Sequence, residues 1–165
     1  MTAIFLEKLF EHNNWANSQI IQACSALSDE QLDAEPPSAT KGSIRVTLTH
    51  LVAAQHNYLL LLTLPVEARR RISPDFSELQ ESARISGAAL LALVRDEPGE
   101  HLKTQLRTTD GHFVEPWVIM VQIINHATEH REQICSMLSA MGITPPSMDG
   151  WSYGEATKAL ILVSE

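Results

Sequence analysis

The segment PWVIMVQIINHATEHREQICSMLSAMG, Pro116 to Gly142, decides the fold. Ile119, Ile123, Ile134, Met137 and Met141 recur along one side of it at helical spacing. Pro116 suits a first helical turn, where its missing N–H has no partner to lose, and Gly142 suits a stop because it tolerates positive φ. Pro145 and Pro146 secure the stop. A helix of this length buries its apolar stripe only against partners of similar length.

The rest of the chain supplies such partners. Leu6, Leu9, Phe10, Ile20, Cys24 and Leu27 share one helical face, with Glu7, Lys8, Glu11, Ser18 and Gln22 opposite. Three residues break this pattern: Asn13 and Asn17 stand in the middle of the apolar face, while Trp15 points the other way. Ser43 is placed to cap a second helix through Ile44, Leu48, Leu51, Tyr58 and Leu62, which Pro65 ends. Ser73-Pro74 is expected to open a third, with Phe76, Leu79, Ala83, Ser86, Leu90 and Leu93 inside, closing before Pro98-Gly99. Between Gln105 and Val114, Asp110-Gly111 signals a hairpin turn. Ser152 and Glu155 have capping-box spacing ahead of an expected tail helix, Ala156 to Val163. The sum is an all-α four-helix bundle with a small β-hairpin and a short C-terminal helix, one domain over residues 1–165.

Composition narrows the function. Twelve Lys plus Arg against 20 Asp plus Glu give a formal charge of −8, which repels a phosphate backbone, so nucleic acid is not an expected partner. The basic cluster Arg69, Arg70 and Arg71 reads as a solvated loop, with a small anion site the lesser alternative. Cys24 and Cys135 form no CxxC pattern and read as buried thiols, in keeping with a reducing cytoplasm. Neither a basic leader nor an apolar run of spanning length is visible, so no membrane association is expected.

His126 and His130 lie four apart on the Pro116 helix, so both imidazoles leave one face about a turn from each other. That is how a helix offers two metal ligands. The intervening Ala127, Thr128 and Glu129 exclude HExxH, and no ExxH occurs anywhere, which removes the zincin protease and the di-iron carboxylate bundle. His50 on the second helix is the best third ligand, because its face also carries Ala54 and Leu61. His56 sits about 120° away and reads as exposed. The pair shares its side with Ile119, Ile123, Gln133 and Met137 and is expected to look into the bundle, near a polar cavity that would also explain Asn13 and Asn17. From spacing alone, core histidines hydrogen-bonded to backbone or to those asparagines account for the pair equally well.

The chain resembles the DinB/YfiT-like superfamily of small metal-binding four-helix bundles. The resemblance is carried by Asn14-Trp15-Ala16-Asn17, by Gly42-Ser43-Ile44 leading to Leu48-Thr49-His50-Leu51, by Thr108-Thr109-Asp110-Gly111, and above all by His126 to Ile134 with Met137-Leu138, Gly142 and Pro145-Pro146 behind it. The superfamily pattern H-x-x-x-H-R-x-Q-I followed by L-x-x-x-G is met, with Glu132 where small residues are common. The resemblance implies metal ligands at His50, His126 and His130 and a divalent ion (Zn, Ni, Fe, Co or Mn) with open positions.

It further implies a metal-dependent enzyme of thiol S-transferase type, using a low-molecular-weight thiol against a small electrophilic substrate. A metal-dependent hydrolase and a non-catalytic stress protein that binds metal or a small ligand are the alternatives. A homodimer is expected, since two-fold pairs are common in the superfamily and Trp15 is placed as an exposed aromatic; packing against the segment around Trp151 is the other way to cover it. His12, His101 and His112 read as solvated, Glu129 as a rim partner of Arg131 or a lysine, and Tyr58 as a residue at the cavity mouth.

Overall fold

The computed structural model describes residues 2–95, 105–161 and 163. Among the described residues six α-helices form: α1 Thr2–Ser25, α2 Asp29–Asp33, α3 Ile44–Thr63, α4 Leu79–Arg95, α5 Pro116–Ala140 and α6 Gly150–Ala156. Strands β1 (Leu106–Arg107) and β2 (Phe113–Val114) pair antiparallel, Leu106 opposite Val114 and Arg107 opposite Phe113. The four long helices close a ring in which α1 and α3 each pack against both α4 and α5. The expected four-helix bundle is therefore formed, with the hairpin and the short terminal helix in place.

Local sequence explains most boundaries. Ser43 caps α3 by accepting from the Val46 N–H, Pro116 occupies the first turn of α5, and α5 ends at Met141 before Gly142 at φ +74°. Gly111 turns the hairpin at φ +90°. Two expectations are corrected. Asp75, not Ser73, opens the third long helix: its carboxylate forms a capping box with Glu78, and a 3₁₀ turn over Phe76–Glu78 leads into α4. The tail helix begins at Gly150, because Asp149 rather than Ser152 accepts the free N–H, and it ends at Ala156, where Lys158 turns left-handed at φ 59°. Helix α2 was not anticipated, although Ser28 and Gln31 form its capping box. The expected close of the third helix at Pro98-Gly99 lies outside the described residues.

The interior is layered. One apolar cluster gathers Ile20, Cys24, Ile44, Leu48, Leu51, Leu79, Ile134 and Met137; a second gathers Phe10, Leu62, Leu90, Ile119 and Ile123. Leu9, expected inside, is exposed. Between the clusters along the sequence of each long helix fall the buried polar residues Asn13 and Asn17 of α1, Gln55 of α3, Ser86 of α4 and Arg131 of α5. Arg131 Nη1 donates to Asn13 Oδ1 at 2.9 Å and to Asn17 Oδ1 at 2.6 Å, and its Nη2 donates to Thr128 Oγ1 at 3.0 Å. Asn17 Nδ2 in turn donates to Gln55 Oε1 at 2.9 Å, and Gln55 Nε2 donates to Ser86 Oγ at 2.8 Å and to the Ala83 carbonyl at 3.0 Å. All four long helices thus meet in one hydrogen-bonded layer. These bonds offset much of the cost of burying the groups, although Asn13 Nδ2 is buried without a partner.

Candidate metal centre

Helices α3 and α5 pack side by side, and the seam between them brings His50 of α3 against His126 and His130 of α5. The spacing of four on α5 stacks the latter two one turn apart, with ring centroids 4.3 Å from each other. His126 Nε2 lies 3.1 Å from His50 Nε2 and 3.1 Å from His130 Nε2. One ligand atom from each residue fits within a 4.8 Å span, and this is the one cluster of His, Cys, Asp or Glu among the described residues so placed for a metal.

Gln133, one turn beyond His130, fixes the chemistry of the deepest ring. His130 Nδ1 is 2.8 Å from Gln133 Oε1, which can only accept, so Nδ1 carries the proton and the Nε2 lone pair points into the cluster. A neutral imidazole nitrogen offers either one N–H or one lone pair. His126 Nε2 can therefore satisfy only one of its two close neighbours, whereas a cation shared by three lone pairs satisfies all three. An ion bound at about 2.1 Å in tetrahedral geometry needs nitrogens about 3.4 Å apart, close to the 3.1 Å that separates His126 Nε2 from each of the other two. The donor set thus fits a divalent metal.

The electrostatics agree. Burial, reinforced by the neighbouring imidazoles, pulls His126 down to about 4 and lowers His50 as well. Both are neutral at physiological pH, the form in which imidazole binds metal. Burial grades across the trio: His130 is buried, His126 half-buried and His50 exposed. The cluster therefore opens to solvent on the α3 side, at His50, while His130 faces into the bundle as expected and His126 lies between the two. The expectation for the asparagines is corrected, for Asn13 and Asn17 bond to Arg131 and Gln55, not to a histidine.

Other candidates fall elsewhere. The Tyr58 ring stands edge-on to His126 at 5.7 Å, and Gln122 Nε2 donates to its hydroxyl at 3.4 Å, so Tyr58 borders the cluster. Glu129 is exposed and is not joined to Arg131, whose guanidinium is spent in the polar layer. His56 is half-buried, not exposed, and stands apart from the trio. His12, expected in solvent, approaches the Met148 carbonyl at 2.8 Å and packs with Trp15 and Tyr153. His112 is exposed beside Asp110, and His101 lies outside the described residues. Burial raises the thiols of Cys24 to about 12 and Cys135 to about 11, which suits neither for metal binding. Arg69 is not simply solvated: it donates to the carbonyls of Leu64 and Arg107 at 3.0 and 2.7 Å, tying the loop to the hairpin.

The residue that sequence reasoning missed is Arg131. Its signal was the pair Asn13 and Asn17, two carbonyl acceptors one turn apart on a core face, which require a forked donor on a facing helix. Among known proteins, the model of the DinB family matches residues 1–161. No curated protein matches the chain.

Proposed function

We propose, for a chain that belongs to the DinB family, that His50, His126 and His130 hold a divalent metal ion through their Nε2 atoms and that the protein transfers a small thiol to an electrophile. The observation that carries this reading is the convergence of three imidazoles on a point open at one side, which leaves coordination positions for a ligand. When bound, such an ion supplies Lewis acidity that lowers the pKa of a coordinated thiol. The chain's residues orient and expose it: Gln133 holds the His130 ring, and the exposed His50 edge admits reactants. In the transfer, the sulfur lone pair forms the new S–C bond, the leaving group departs with the pair of the broken bond, and the thiol proton passes to water.

Metal analysis of the purified protein, followed by turnover assays with glutathione, bacillithiol and mycothiol against a chromogenic electrophile, tests the proposal. Thiol-dependent turnover lost in His126→Ala supports it. Full metal occupancy with no thiol dependence favours the hydrolase or the non-catalytic binder.

The homodimer keeps its place here with a different contact. Trp15 is half-buried under Tyr153, with ring centroids 5.3 Å apart, and cannot be the exposed aromatic. Trp117, 66% exposed, shares a face of α5 with Val121, and this apolar surface supports pairing of two copies. Sedimentation equilibrium is expected to give about twice the 18.3 kDa chain mass. Trp117→Glu is expected to shift it towards monomer with metal content unchanged.

A further inference from the structure

On α3, two turns beyond His50, a cavity of about 280 Å³ opens between the helix and the hairpin. Asn57 and Tyr58 of α3, Arg69 and Arg71 of the following loop, and Thr108 and Thr109 of the hairpin turn line it. Tyr58 is the shared wall, since its ring also packs edge-on to His126. Among the described residues no carboxylate lines the cavity, while two guanidinium groups do. The Arg69 donors end on backbone carbonyls, and Arg71 makes no side-chain hydrogen bond or ion pair among the described residues. Glu67 is the acid whose charge reaches Arg69, and it stands outside the lining. Asn57 Oδ1 is buried and has no hydrogen-bond partner.

These groups specify a ligand. An uncompensated guanidinium seeks a carboxylate, which it can hold through two parallel N–H donors. A buried carbonyl oxygen without a partner seeks an N–H. A unit with both beside each other is an amino acid or the end of a short peptide. Seven residues of helix separate His50 from Asn57, a rise of about 10 Å, which two or three extended peptide residues span.

We propose that this cavity holds the carboxylate-bearing, peptide-like end of the thiol whose sulfur reaches the three imidazoles past Tyr58. The assignment rests on the reading of the trio as a metal site in a thiol transferase and names the class of thiol: anionic and about the size of a tripeptide. Arg71 binds the carboxylate, Asn57 accepts the adjacent N–H, and the electrophile is left the open edge at His50.

The test uses S-methylglutathione, which carries the carboxylates and N–H groups but no free thiol. Titrated into the ¹⁵N-labelled, metal-loaded protein, it is expected to shift the backbone signals of Thr108 and Thr109 and the side-chain amide of Asn57. Its dimethyl ester is expected to bind at least tenfold more weakly, Arg71→Ala to cause a similar loss, and Arg71→Lys to restore part of it. His126→Ala, which removes a proposed metal ligand but no lining residue, is expected to keep this binding. A failed metal site and a failed subsite are thereby told apart. Equal binding of acid and ester, an unchanged affinity in Arg71→Ala, shifts confined to other residues, or no binding at all would each overturn the proposal.

Discussion

His130 and Gln133 show how one hydrogen bond prepares a ligand. With Nδ1 committed to Gln133 Oε1, the ring can neither flip nor change tautomer without losing that bond. Gln133→Leu is expected to weaken metal binding by about 10–100-fold, with the helical far-ultraviolet signal unchanged; competition against a chromophoric chelator measures it. His126 makes a second prediction, about acidity. In the unfolded chain its imidazole titrates near its ordinary value of about 6.5, whereas burial holds it to about 4 in the fold. Between those two values the unfolded state binds more protons, so stability of the metal-free protein falls as pH falls through that window and is fully present above it. Urea midpoints at pH 7.5 and pH 5 are expected to differ, and the difference is expected to shrink in His126→Phe.

Among the elements, the long helices were legible because each carries its own stripe, and Ile119, Ile123, Ile134 and Met137 are buried as their spacing requires. The short ones were misread where two residues competed for the same capping role, as Asp149 and Ser152 did at α6. That helix also covers Trp15, which a wheel drawn for α1 alone could only leave in solvent. Tyr153→Ala is expected to uncover Trp15 and His12, shift tryptophan emission to the red, and cost about 1 kcal/mol from the lost aromatic contacts. An unchanged emission maximum would show that α6 does not cover the first helix in solution.

Across the whole molecule, the histidine trio was readable and its surroundings were not. Ligand spacing on one helix is a local property, but the depth of His50 depends on how α3 packs against α5, and that the asparagines serve Arg131 depends on helices more than 110 residues apart in sequence, at separations of 118 and 114. The polar layer that results predicts a large effect from a small change. Asn17→Ala removes an acceptor from a buried guanidinium and leaves Gln55 Oε1 without its donor, so a loss of about 3 kcal/mol is expected, or about 6–12 °C in melting temperature. Calorimetry measures it, and a shift of under about 2 °C would mean that water replaces the layer at little cost.

The same layer sets the register of the bundle. If α5 slid by one turn along α1, about 5.4 Å, the Arg131 charge would be carried from its two carbonyl partners towards apolar neighbours, at a penalty of several kcal/mol. Alternative alignments of the four helices, which two purely oily cores would tolerate, are thereby rejected during folding. The imidazoles of α3 and α5 consequently meet through helix packing alone, and the geometry of the trio is inherited from the alignment of the helices.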